Sequence, residues 1–418
     1  MVGGVLNIAL AVLTIAFFII NIVEYHTEKT IFTPINILLG PYVIITILNN
    51  LIATKQGYFI VEDKVIYLLL VALIMVYFSS FLREHININD YSNNDNVPIS
   101  TLCNDEFLMK KIEILFLACS VIRLVQIIIT IRQYGIRVIG QNDFSDLGFN
   151  GFPSHLYLMV FPFAALLLYR GISDKNIRDL ALFSFGLLIT FLSFIKYHAI
   201  FYVLISFIFC GLSDKKMIKR IIGLIALLII ILFIGNYYIS FVLRGMNGYS
   251  NKDYFIKLWD YIGGSLINGN KCIRFNEYQI DYSWWDLLYA SLFPVAVGIL
   301  NALGANIKMP EFKLGFQNIS RMGTKSNVTG LLFNISYTGS EILFVLFNII
   351  SAFIIAGIIK KIENGQHQRN LLFYSVCLTV ATMTFFANYF TLTVIWELLF
   401  WSYFIPRILF SKKIVIRY

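Results

Sequence analysis

Long apolar stretches separated by short polar interruptions fill most of this chain. A helix needs about 20 apolar residues to cross the hydrocarbon layer, and about eleven stretches approach that length outside one polar region. They predict helices over residues 4–23, 31–52, 65–82, 107–131, 153–171, 180–195, 197–212, 217–243, 340–359, 371–389 and 392–410. The first has no basic segment before it and no small-residue cleavage site after it, so it reads as a retained helix and not as a signal peptide. The second carries Gly40-Pro41 at its middle, where proline removes a backbone hydrogen bond and predicts a kink. The fold class expected is an all-α polytopic membrane protein.

The exception is residues 244–335, a polar stretch of about 90 residues, far longer than an ordinary connection. It holds Trp259, Trp284 and Trp285 and the apolar run 287–303, whereas disordered segments are poor in aromatics. A folded, helical cap on one face of the bundle is therefore expected. The organisation predicted is 1–243 as membrane helices one to eight, 244–335 as the cap, and 336–418 as helices nine to eleven with a tail.

Composition agrees with this class. The chain is 58% hydrophobic and only 14% charged, well below the roughly one quarter charged of soluble domains. Its net charge of +9 reports topology before it reports nucleic acid, because cytoplasmic loops of membrane proteins are rich in Lys and Arg. Lys215, Lys216, Lys219 and Arg220 form the strongest basic cluster in a short loop and predict that this loop is cytoplasmic. Counting helices from it puts the tail inside, and it puts the 132–151 loop, the turn at 196–198, the cap and the N-terminus outside. The five cysteines are scattered, with neither paired nor metal-ligand spacing. Neither a disulfide nor a metal site is expected.

Polar residues inside apolar helices are the candidate chemistry. Ser120, Arg123, Gln126 and Thr130 share one helical face. An Arg at that depth faces the bundle interior or water, either as interhelical packing glue or as a substrate group. Glu397 is an intramembrane carboxyl candidate in the last helix. Thr190, Ser193 and Lys196 fall on one face with His198 just beyond, and Asn236, Ser240 and Arg244 form a second polar ridge. With Arg132 and Arg137 these basic groups suit an anionic headgroup, because guanidinium holds phosphate in bidentate fashion. Basic residues at helix ends also snorkel without any ligand.

The long outer loop after a late helix, YIGGSL at 261–266, SFIKYH at 193–198 and NVTGLLFNISYTGSEILFVLF at 327–347 resemble the Wzy-type polymerases of O-antigen and capsular repeat units, in the O-antigen polymerase and ligase superfamily. Family members commonly carry Arg where Lys196 stands and an acidic residue near Thr338. The resemblance implies a metal-independent, cofactor-free, inverting glycosyltransferase of the bacterial cytoplasmic membrane, active on its outer face. Its donor would be a glycan on undecaprenyl pyrophosphate and its acceptor a single lipid-linked repeat unit. A chain-length regulator and a flippase are candidate partners. Arg244 and Lys196 would stabilise the pyrophosphate leaving group, with Arg137 and Arg321 as supports, and Arg123 is a further substrate-binding candidate. His198, His155, Glu277 and Asp281 are the candidate bases, unranked. Trp259, Tyr261, Trp284 and Trp285 would stack on sugars or anchor at the interface. Gly263 and Gly264 would allow close backbone approach or form a plain turn. A ligase and a flippase or transporter are the alternatives.

Overall fold

The computed structural model describes residues 8–86, 103, 105–138, 147–149, 151–219, 223, 228, 235, 238, 251–273, 282–312, 314–364 and 368–410. Helices dominate them. The first half contains α1 (Ile8–Glu28), α2 (Pro34–Leu38), α3 (Gly40–Leu51), α4 (Asp63–His85), α5 (Glu106–Tyr134), α6 (Phe152–Tyr157), α7 (Val160–Ser173), α8 (Ile177–Leu192) and α9 (Lys196–Ser213). The second contains α10 (Asn251–Ile262), α11 (Gly264–Cys272), α12 (Trp284–Leu292), α13 (Pro294–Ala302), the strands β1 (Gln317–Asn318) and β2 (Lys325–Ser326), then α14 (Leu331–Tyr337), α15 (Glu341–Glu363), α16 (Leu371–Met383) and α17 (Thr393–Phe410).

Among the described residues five helices are long and apolar enough to cross a membrane: Ile8–Thr27, Asp63–Arg83, Glu106–Tyr134, Phe152–Ser173 and Glu341–Glu363. Local chemistry sets their ends. Asp105 caps α5 by accepting from the Phe107 and Leu108 amides (3.1 and 3.3 Å). Asn176 caps α8 through the Arg178 amide. The stretch expected at 31–52 is broken into α2 and α3, with Thr33 capping Pro34–Leu38 and Pro41 in the first turn of the next helix. The 371–389 stretch stops at Met383, and Tyr389–Thr391 forms a 3-10 turn. Most of the helix expected at 217–243 lies outside the described residues.

The chain divides into two compact units, one of residues 1–90, 256–361 and 380–393, the other of 91–255, 362–379 and 394–418. In the first, a polar knot joins α10 and α11 to distant segments. The Trp259 indole donates to Asn49 Oδ1 (2.9 Å), Asn270 donates to the Ile60 carbonyl (2.8 Å), and the Glu62 amide donates back to Asn270 (2.9 Å). Asn268 donates to the Ser326 and Val328 carbonyls (3.1 and 2.8 Å). The Tyr58 hydroxyl lies 2.8 Å from the Ile256 carbonyl and 3.0 Å from Asp260 Oδ1. Burial first, then the Asp260 carboxylate, pushes its phenol above the ordinary range and keeps it a donor. The hairpin β1–β2 pairs antiparallel, Gln317 opposite Ser326, and Tyr58 bridges to Ser320.

The second unit packs α5, α7, α8 and α9 closely. Gly186 makes this possible: a Cβ there would lie 2.4 Å from the Phe116 ring and 2.6 Å from the Tyr202 hydroxyl. A buried ion cluster ties three of these helices together. Arg170 of α7 pairs with Asp179 of α8 and with Glu113 of α5 (2.7 Å), and Arg178 reaches the other Glu113 oxygen at 2.6 Å. Two cations meet two carboxylates, so the charges of the cluster balance.

Candidate functional site

Arg123, in the middle of α5, is 2% exposed. Its guanidinium has five N–H donors. Nε donates to Ser193 Oγ of α8 (3.2 Å), and Nη1 donates to Gln126 Oε1 (3.2 Å) and Ser154 Oγ of α6 (3.4 Å). Gln126 Nε2 donates to the same Ser154 oxygen (3.3 Å) and fixes it. Both hydrogens of Nη2 are left without an acceptor among the described residues. The guanidinium carbon sits 3.6 Å from the Phe149 ring centroid and 4.6 Å from that of Tyr157.

No carboxylate pairs with Arg123 among the described residues, in contrast to Arg170. Rings and hydroxyls soften the desolvation of a buried cation, the rings by about 2 kcal/mol when dry, but they carry no countercharge. A buried charge normally acquires one. A guanidinium with two donors that meet no acceptor among the described residues has the chemistry to hold an anion.

The neighbours are ordered by their own bonds. Tyr157 Oη and Thr190 Oγ1 lie 2.6 Å apart, and Thr190 also donates to the Gly186 carbonyl. Ser193 donates to the Ile189 carbonyl, leaving its lone pairs toward Nε of Arg123. Thr130, one turn beyond Gln126, is approached so closely by Gly148 that a Cβ there would lie 2.1 Å from its hydroxyl. This contact brings the 147–149 segment, and Phe149 with it, over the site.

Next to Ser154 in sequence, His155 makes the second feature. Its Nδ1 lies 2.7 Å from Glu397 Oε2 of α17, with the two side chains 55% and 24% exposed. A carboxylate on Nδ1 sets the tautomer that leaves Nε2 free to accept a proton. Glu397 lies in the second turn of α17, near the helix start.

The expected residues fall in different places. Arg123 meets Ser193 directly and Thr190 through Tyr157, while His155, next to Ser154 in sequence, pairs with Glu397. His198 is 3% exposed, packs edge-on against Phe161 and Tyr197 (5.6 and 4.6 Å), and has no partner for either ring nitrogen. Lys196 opens α9 and Arg137 sits in the 3-10 turn Ile136–Val138; their side chains lie outside the description. Arg244, Asn236, Ser240, Glu277 and Asp281 lie outside the described residues altogether.

In the other unit Trp259 is buried with its indole N–H committed to Asn49, so it offers no open ring face. Gly263 forms the turn between α10 and α11, and Gly264 packs where a Cβ would meet Ser326 Oγ at 2.4 Å. Both serve packing of the chain on itself. Tyr261 stacks on Phe386, which stacks on Tyr389 (5.9 and 6.3 Å). Arg321 is exposed in the hairpin turn, its amide donating to the Gly57 carbonyl (2.8 Å). Among the described residues no group of three or more His, Cys, Asp and Glu side chains is placed to hold a metal ion.

Phe149, Ser154 and Tyr157 were not singled out from sequence. Their one signal is position, in and just after a Gly- and Asn-rich loop that follows the helix carrying Arg123. No protein-family model, no curated protein and no solved structure matches the chain.

Proposed function

We propose that the chain is a polymerase that joins undecaprenyl-pyrophosphate-linked oligosaccharide repeat units by inverting glycosyl transfer at the outer face of a bacterial cytoplasmic membrane. The observation that carries this reading is Arg123, a buried guanidinium with two unused N–H donors and no carboxylate partner among the described residues, whose acceptor Ser154 is followed in sequence by a histidine held by Glu397. The sequence layout supports it, with about eleven spans and a large cap at 244–335 on the outer side.

In the proposed reaction an acceptor hydroxyl attacks the anomeric carbon of the growing glycan. The carbon–oxygen bond to pyrophosphate breaks with its electron pair, so negative charge grows on the leaving group. A preorganised guanidinium in a dry site stabilises that charge. Arg123 supplies it from the protein interior, and Lys196, which opens α9, and Arg244 are the further cations of the reading. The hydroxyl proton passes to Nε2 of His155, with Glu397 stabilising the imidazolium that forms. Of the four candidate bases, His155 has the described geometry for this role.

The test is elongation by the purified full-length chain in vesicles, given a single undecaprenyl-pyrophosphate-linked repeat unit in EDTA and resolving products by size. A ladder of lipid-linked oligomers is expected. Unchanged single units contradict the reading, and transfer only to a different acceptor identifies a ligase.

A further inference from the structure

The apolar run in the polar stretch folds as two nine-residue helices, α12 and α13, bent by 67° where Phe293 meets Pro294. Together they are apolar enough to count as membrane-inserting. Asp286 is the one charged residue between Trp284 and Ala302, and it lies at the entrance, accepting from the Ser283 amide (2.8 Å) in a capping box. At the exit Asn301 closes the chain by donating to the Ile307 carbonyl (2.9 Å) and accepting from its amide (2.6 Å). Charged groups thus stay at the entrance, and the polar side chain beside the bend, Ser291, is satisfied within the unit by accepting from Asn388 (2.9 Å).

One side of the pair is already satisfied: Leu287, Ala290, Pro294 and Val297 are buried within their own unit. The other side is not. Trp285, Leu292, Phe293, Ile299 and Leu303 are 65%, 55%, 49%, 57% and 79% exposed. Such a contiguous apolar surface calls for a cover.

Length decides which cover. Each arm rises about 13.5 Å, and two such arms meeting at 67° put their ends about 22 Å apart. That falls short of a hydrocarbon layer of about 30 Å, so the pair is too short and too bent to cross. With both ends at one surface the bend lies about 7 Å below them, inside the roughly 5–10 Å depth at which amphipathic helices settle in the headgroup–acyl boundary. The stacked pair Trp284–Trp285 (3.9 Å) at one end suits that boundary.

We infer that α12 and α13 form a shallow wedge seated in a single leaflet, with Phe293 deepest and both ends returning to the same face. Its partner is the acyl layer of the bilayer. The wedge stands on geometry and composition alone, so it holds or fails independently of the activity proposed above.

Full-length protein with its native cysteines replaced, carrying a nitroxide on Phe293→Cys, is reconstituted in phosphatidylethanolamine–phosphatidylglycerol vesicles. Collisions with oxygen are expected to exceed those with a water-soluble nickel chelate, at a depth of about 5–10 Å. Leu300→Cys gives a second site if a label at the bend disturbs folding. In intact cells Ser283→Cys and Asn301→Cys are expected to react with an impermeant thiol reagent from the same side. A nickel-accessible label at 293 would place the wedge in water. Low collision with both reagents would mean a protein covers it, a second copy being the first candidate. Reaction of the two ends from opposite faces would make the pair a span.

Discussion

Arg123 commits three of its five N–H donors to neutral side chains, and the other two meet no acceptor among the described residues. Arg170, of the same residue type and in the same unit, also engages three donors among the described residues, but gives them to two carboxylates. Arg170 thus has its countercharge, and among the described residues Arg123 has none. The spacing of Ser120, Arg123, Gln126 and Thr130 made their common face legible in the sequence, because three- and four-residue steps return to one side of a helix. What that face meets was not legible: Ser154, Phe149 and Ser193 come from other segments, and no local rule pairs them with Arg123. The same holds for His155, whose partner Glu397 is more than half the chain away. If the pair moves the acceptor proton, His155→Ala should slow elongation by about a hundredfold or more, with added imidazole restoring part of it. Glu397→Gln keeps a hydrogen-bond acceptor but removes the charge, so its loss should be smaller, about tenfold. Equal rates for wild type and His155→Ala, in protein that still elongates, would remove the histidine from the reaction.

At the scale of elements, apolar length and punctuation located α1, α4, α5 and α15 to within a few residues, and Gly40-Pro41 marked the break between α2 and α3. These features are local: a run of apolar residues states its own length, and proline states its own missing donor. The knot around α10 and α11 is different, because the partners of Asn49, Asn268 and Asn270 lie far away in the chain and no local pattern names them. Tight packing there gives a sharp expectation. Gly264→Ala places a methyl against Ser326 Oγ and Cβ, at 2.4 and 2.7 Å, and overpacking of this kind costs about 1–3 kcal/mol. The thermal midpoint of the detergent-solubilised protein should fall by several degrees, and Ser326→Gly in the same chain should recover most of it. An unchanged midpoint for the single variant would mean the helix and hairpin are not packed as described.

Taken whole, the molecule joins a helical chain with several membrane-length helices to a buried cation that has no carboxylate partner among the described residues. The helical class follows from composition and run length, whereas the activity rests on a resemblance in layout and on the chemistry of one site. Size-resolved lipid-linked glycans from cells expressing wild type, Arg123→Ala and Arg123→Lys at matched protein levels test that union most directly. Loss of a charge-stabilising donor predicts about a hundredfold slower elongation or worse for Arg123→Ala, seen as single repeat units accumulating in place of the ladder. Arg123→Lys should recover only part, since an ammonium restores the charge without the guanidinium fork. A full-length ladder from well-expressed, folded Arg123→Ala would contradict the account.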